Sequence, residues 1–403
     1  MHKIKNIEKQ LKSNISPIKN VEMISIRKAA GRYLADNVYS SINIPPANNS
    51  AVDGYLFRFK ELRDATTKEF IINSEISAGE MLNDIYSSKI AIKISTGGHI
   101  PKGFDAVVME EDFNINKNSI ILNKKKELFR WMNIRKKAED IKRNEKVFSA
   151  GHLLRAQDVG MLSSLGISKV KVIRKIKVGI LSNGNELVEP GKVKLSNKIY
   201  DSNRYMLNSL LQNNSILLID EGIVSDEYKK IKTKLISLKK RCDLVVVSGG
   251  ASSGSKDYVV KIIKEIGVVK FWKALIKPGR PFGFGLLKNN RPILILPGNP
   301  VACFVIFFIF GRKIINYLAG NLSYKPDCFL VKSNFQMNKK IGREEFLRGK
   351  SFIKNGKIYV DKFHKQGAGI LKSVVWGNGL IRLRSKDSII KKDSDLEFYP
   401  FES

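Results

Sequence analysis

The sequence predicts a multidomain protein of mixed class. A central three-layer α/β domain built on a parallel sheet is joined by a β-rich inserted domain and a small C-terminal β domain. Three observations predict this. Between residues 176 and 320, apolar runs (IKVGILS, SILLIDEGIV, DLVVVSGG, VVKFWK, PILILPG) alternate with helical patterns (NRYMLNSLLQ, DEYKKIKTKLISLKKR, DYVVKIIKEIG, NPVACFVIFFIFGRKIINYL). Near-continuous apolar strands between helices indicate a parallel sheet covered on both faces. Residues 46–145 and 325–403 instead carry short apolar runs between turn residues, such as KIAIKIS and DAVVMEED. Finally, 403 residues allow about two to four domains at roughly 100–200 residues each.

Taken in order, residues 1–45 are polar and start as a helix. Residues 146–175 share that mixed character, with a helix after Arg155 and a short strand at the end. The β-rich block, 46–145, therefore reads as an insertion, and 1–45 with 146–175 as one discontinuous linker or dimerisation domain. The α/β domain spans 176–324 and the terminal β domain 325–403.

Composition removes several function classes. With 43% hydrophobic residues, global disorder is excluded. The three cysteines form no C-x-x-C pair, which excludes a disulfide scaffold and a cysteine zinc site. The four histidines are scattered, against a His-rich metal site. Lys+Arg exceed Asp+Glu by 71 to 38, a net charge of +33. Such charge invites a nucleic-acid reading. The excess, however, runs along the whole chain without the aromatic interleaving of a single-strand binder. Surface drift explains it better, and no specific nucleic-acid partner is expected. The N-terminus has no signal-peptide core, and VACFVIFFIF (301–310) falls short of the about 20 residues of a membrane span. The expectation is a soluble, cytoplasmic protein with no membrane partner and a buried helix at that segment.

In an open α/β sheet, ligands bind outside the carboxyl ends of the strands. The first such end, DLVVVSGGASSGSKDY, brings Ser248, Gly249, Gly250, Ser252 and Gly254 to a strand–helix junction that Asp257 opens. Small residues let backbone N–H groups approach a phosphate or other oxyanion, although a plain Gly/Ser turn has the same composition. The second, FWKALIKPGRPFGFG, packs Lys273, Lys277 and Arg280 with Pro278, and cations restricted by proline suit an anionic ligand. The third, Pro297-Gly298-Asn299-Pro300, is a tight turn that serves structure or binding equally. Among the sparse acids, Asp53, Glu139, Asp140, Glu186, Asp201 and Asp257 lie in turns at element ends. Carboxylates beside phosphate loops commonly hold Mg²⁺; for Asp201 and Asp257 a helix N-cap is the alternative.

Together these stretches resemble the molybdopterin molybdenumtransferases, the MoeA and gephyrin E-domain family. The resemblance rests on NNSAVDGYLFR (48–58), ISTGGHIPKGFDAVVMEED (94–112), NIRKKAEDI, SNGNELVEPG, IYDSNRYML, SGGASSGSKDY, FWKALIKPGRPFGFG, LPGNPVA, GREEFLRG and QGAGILKSVVWGNGL, in the family's order. It implies an elongated homodimer that inserts molybdate into adenylylated molybdopterin, with Mg²⁺-dependent release of AMP. A molybdopterin adenylyltransferase is the implied pathway partner. The implied functional set is Asp53, Thr96, Asp140, Glu186, Asp201, Asp257, Lys273 and Lys277, with Glu186 and Asp257 as metal ligands and Ser373 in the terminal domain. Asp53 and Asp140 belong to the insertion and are implied to act across the dimer. The alternative reading is a molybdopterin-binding scaffold without turnover. Two departures stand out: Asn185 replaces the acid of a G-D-E-L motif, and Ala138 replaces the glycine of G-E-D.

Overall fold

The computed structural model describes residues 1–64, 69–81, 89–123, 127–250 and 258–401. The chain divides into two compact units. One comprises Met1–Asp36, Ala150–Val159 and Ser168–Ser403; the other comprises Asn37–Ser149 and Gly160–Ile167.

In the first unit, α1 (Ile4–Asn14) places Ile4, Ile7 and Leu11 on one buried stripe. The strand Val21–Ser25 pairs antiparallel with Lys169–Ile173. The α/β core follows as β1 (Ile176–Asn183), α2 (Asn203–Leu211), β2 (Ile216–Val224), α3 (Tyr228–Arg241), β3 (Leu244–Ser248), α4 (Tyr258–Ile266), β4 (Gly267–Trp272), β5 (Gly283–Leu287) and β6 (Arg291–Leu296). The last helix, α5, runs over Pro300–Leu318. The sheet order is β2-β1-β3-β6-β5-β4. Strands β1, β2, β3 and β6 are parallel neighbours.

Alternation explains why these strands read as unbroken apolar runs. Leu244, Val246, Leu294 and Leu296 pack with α1, α2 and α5 on one face. Val245, Val247, Ile293 and Ile295 pack with α3 and α4 on the other. Both faces are covered, so the central strands are apolar on both sides. Helix α5 is long and apolar enough to cross a membrane, but 94% of it is buried inside this fold, so it reads as a core helix.

The sheet departs from the expected all-parallel one. Strand β5 lies in the segment read as a cation-bearing loop and pairs antiparallel with both β4 and β6. Its glycines lower strand propensity and hid it. They are there for close approach: a Cβ on Gly285 would meet the Val268 carbonyl oxygen at 2.7 Å.

The terminal β region closes on itself. Strands β7 (Phe329–Ser333), β8 (Glu344–Lys354), β9 (Lys357–Lys362), β10 (Gly379–Leu383) and β11 (Asp395–Pro400) pair in the ring β8-β9-β7-β11-β10-β8. Closure removes exposed edges. Val331, Leu347, Val360, Ile381 and Phe398 fill the interior. The short segment Ile276–Lys277 adds in parallel to the start of β8.

In the second unit, a six-stranded mixed sheet runs in the order 106–109, 54–57, 90–94, 69–76, 119–122, 113–115. Tyr55 and Phe57 face one apolar cluster and Leu56 the other. Val38–Tyr39 pairs antiparallel with Lys146–Phe148 in the same unit.

Candidate active site

The register of three parallel strands builds the site. Ser182 at the end of β1 pairs with Ser248 of β3, and Ser248 pairs with Leu296 of β6. The turns that follow therefore leave the sheet side by side. Gly249 donates its N–H to the Leu296 carbonyl at 3.2 Å. Gly249 and Gly250 have φ of 90° and 63°. A Cβ on Gly249 would lie 2.2 Å from the Asn183 carbonyl oxygen, and one on Gly250 would lie 2.5 Å from Asn183 Oδ1. Glycine is thus required at both positions by conformation and by space. Pro297 is buried, whereas Gly298 and Asn299 are exposed at the rim. Asn203, the first residue of α2, ties two turns together by donating from Nδ2 to Ser248 Oγ (2.7 Å) and to the Gly298 carbonyl (2.8 Å). Ser252, Gly254 and Asp257 lie outside the described residues.

The segment after β1 is held by one arginine. Arg204 pairs with Asp201 (3.1 Å), Asp220 (2.6 Å) and Glu189, and its side chain is 8% exposed. Burial disfavours the guanidinium charge, but the hydrogen bond and charge of Asp220, with Glu189 and Asp201, outweigh it and hold Arg204 protonated. Asp201 also accepts the Arg204 backbone N–H at 3.1 Å. Its carboxylate is committed to the first turn of α2 and to this clamp, the capping role that was the alternative in sequence. Glu186 is exposed on the clamped segment. Asn185 forms a reciprocal pair with Asp226, each backbone N–H donating to the other's side-chain oxygen at 3.0 Å. Asp226 was missed in sequence, because only the fold brings it beside the motif. Gly184, Asn185, Leu187, Val224, Ser225 and Lys229 line a cavity of about 590 Å³ here, the size of a small-ligand pocket.

The three cations of the proline-rich segment have separate fates. Lys273 has φ 68° and its ammonium lies 4.3 Å from the Trp272 ring centroid. Lys277 bonds Glu345 of the barrel at 3.2 Å, and Glu345 is buried. Arg280 is exposed and Pro278 buried. Ser373 is fully buried in the barrel, accepting from Arg348 Nε at 3.0 Å and donating to the Ile370 carbonyl at 2.7 Å. Arg348 is itself fully buried, and burial pushes it down to about 10. Ser373 thus serves a buried arginine that sequence reasoning did not single out.

In the second unit, Asp53 and Thr96 come together. Asp53 Oδ1 accepts from the Thr96 N–H at 2.6 Å and from its hydroxyl at 3.0 Å. These bonds hold the Asp53 carboxyl below the usual range. Asp140 is exposed, with its N–H bonded to the Ile44 carbonyl at 3.0 Å. Two residues earlier, Ala138 adopts φ 62°, left-handed backbone that costs a non-glycine residue about 1–2 kcal/mol. Ala138→Gly should therefore stabilise the protein by about 0.5–1 kcal/mol, after subtracting the extra unfolded-state freedom of glycine. Urea denaturation checks this, and a destabilised variant would contradict it.

Among the described residues there is no group of three or more His, Cys, Asp or Glu placed to hold a metal. An all-protein cage is not what Mg²⁺ needs, since it commonly uses one or two carboxylates plus substrate phosphates. The exposed Glu186 fits that donor type.

Three family profiles cover the chain in sequence. They are "MoeA N-terminal region (domain I and II)" over residues 3–166, "Probable molybdopterin binding domain" over 179–317, and "MoeA C-terminal region (domain IV)" over 331–401. The molybdopterin molybdenumtransferase of Haemophilus influenzae is 35% identical over 386 residues, covering 94% of each chain. That of Nostoc sp. is 28% identical, covering 97% of this chain and 91% of its own. The crystal structure of the molybdopterin biosynthesis moeA protein from Pyrococcus horikoshii superposes with a TM-score of 0.83 at 29% identity, over the full length of both chains. Sequence, fold and the order of the carboxyl-edge motifs agree from end to end, and the chain belongs to the molybdopterin molybdenumtransferase family.

Proposed function

We propose that this protein is a transferase of molybdenum cofactor biosynthesis that inserts molybdate into adenylylated molybdopterin and releases AMP. The observation that carries the reading is the Ser182–Ser248–Leu296 register, which sets three family-matching turns on one edge. A relative 35% identical over 94% of the chain is named for the molybdenum transfer.

The substrate is anionic at its phosphates and at the oxyanion. Gly249 and Gly250 allow the left-handed turn from which the family-matching phosphate loop starts. Lys273, Lys277 and Arg280 supply positive charge where the leaving phosphate gains negative charge. The contact with Glu345 fixes the direction of the Lys277 ammonium. Mg²⁺, held by Glu186 together with phosphate oxygens, would neutralise phosphate charge. Asp53, held ionised by its bonds from Thr96, is a charge partner and a weak base. The protein works as a homodimer and takes its substrate from a molybdopterin adenylyltransferase. The transferase names of its relatives do not favour a scaffold without turnover.

The test is AMP release from adenylylated molybdopterin with molybdate and Mg²⁺. Wild type should release AMP, and Glu186→Ala and Lys277→Ala should each slow release about 100-fold with unchanged circular dichroism. No release by the wild type would sink the function. Full release by both variants would sink the roles.

A further inference from the structure

Three polar atoms at the carboxyl edge have no hydrogen-bond use among the described residues. Ser182 Oγ, Asn183 Oδ1 and Asn203 Oδ1 are buried with no hydrogen-bond partner among the described residues. Their residues are 0%, 3% and 7% exposed. Native interiors pair nearly all such atoms, because an unpaired one carries its full desolvation cost.

The amide orientations are set by carbonyl partners. Asn203 Nδ2 donates to the Gly298 carbonyl at 2.8 Å, and Asn183 Nδ2 donates to the Val224 carbonyl at 3.1 Å. A carbonyl only accepts, so each nitrogen must stay there and each oxygen must face elsewhere. Ile180 packs on the α2/α5 face and Leu181 on the α3/α4 face. By alternation, Ser182 shares the face of α2, on which Asn203 sits, and Asn183 points to the opposite face. Acceptors therefore flank the edge from both sides. An ionised phosphate offers only acceptors and cannot satisfy an amide oxygen. An amino-substituted ring offers N–H donors and can.

We infer that Ser182, Asn183 and Asn203 read the N–H edge of an amino-heterocycle of the substrate. This rests on the proposed function, whose substrate carries two such rings, a pterin and an adenine. Their shared chemistry is an exocyclic amine on a flat ring. Among the described residues the three oxygens have no donor, and the ring amine would supply one. Stability is given up for recognition, as functional sites often do.

The test uses the full chain and calorimetric titration with two matched pairs of probes. IMP replaces the 6-amino group of AMP by a carbonyl, and lumazine replaces the 2-amino group of pterin by a carbonyl. One pair should show at least about tenfold preference for the amino member, the worth of a hydrogen bond made against one opposed. That pair identifies the ring. The preference should fall below threefold in Ser182→Ala, with a melting temperature equal to or above wild type because the lost hydroxyl has no partner. Should that variant not fold, Ser182→Cys, nearly isosteric with a weaker acceptor, replaces it. Equal affinity within both pairs, no binding of any probe, or a preference unchanged in the variant would each overturn the inference. So would Mg²⁺ binding, titrated alone, that weakens in the variant while no amino preference exists. Loss of AMP release with the amino preference intact would overturn the catalytic reading and leave this one standing.

Discussion

Gly249→Ala should cut AMP release at least about 100-fold and destabilise the protein by about 3 kcal/mol, while Gly298→Ala should leave both nearly unchanged. The two glycines sit in neighbouring turns of the same edge, so composition does not separate them. Geometry does. Gly249 has φ 90°, and its added Cβ would meet the Asn183 carbonyl oxygen at 2.2 Å. Left-handed strain of about 1–3 kcal/mol then adds to a backbone clash that only a shift of β1 or β3 relieves. Both strands carry site residues, and a misplacement of about 1 Å is worth about two orders of magnitude in rate. At Gly298 the nearest atom to an added Cβ is Gly249 Cα at 3.8 Å, an ordinary contact. That change should stay within about 0.5 kcal/mol. Thermal unfolding and AMP release on both variants decide it. Equal damage from both substitutions, or more than a tenth of wild-type rate in Gly249→Ala, would show that the close approach to Asn183 does not hold the site.

Arg204→Ala should cost about 3–5 kcal/mol, the largest single loss expected from a charged residue in the α/β core. The substitution leaves Asp201, Glu189 and Asp220 facing one another without a cation, and the Asp201 side chain is only 1% exposed. Arg204→Lys should recover part of the loss, since one ammonium cannot meet three carboxylates with the geometry of a guanidinium fork. Because the clamp ties down Glu189, three residues after Glu186, the alanine variant should also lose AMP release beyond what its unfolded fraction explains. Urea denaturation of the two variants gives the order. A lysine variant no better than alanine would mean that fork geometry matters more than charge, and a loss under about 1 kcal/mol would refute the clamp.

The Asp201 outcome shows where reading a sequence reaches its limit. In sequence, Asp201 is one of several carboxylates in turns, with a helix N-cap as the alternative to a metal or substrate role. Its partner Arg204 is three residues away, but Asp220 reaches the same guanidinium because β2 lies beside β1, and Glu189 because Leu187–Val188 pairs with Ile199–Tyr200. Similarly, Asp53 and Thr96 were two motif residues 43 positions apart, and the pairing of the strands that carry them brings them to 2.6 Å. Strand β5 escaped notice because glycine weakens the local signal, while its hairpin with β6 supplies the hydrogen bonds that override it.

The alternation of covered strands and helices, the β-rich flanks and the family were all legible along the chain. These are local or cumulative signals: periodicity, turn composition, and motifs in order. Which polar residues are committed and which are spare emerges from the fold. Asp201 and Ser373 are committed to internal partners, whereas Ser182, Asn183 and Asn203 hold buried oxygens unpaired among the described residues. Whether a polar atom is satisfied depends on every neighbour that folding brings to it, and spacing along a chain does not contain that count.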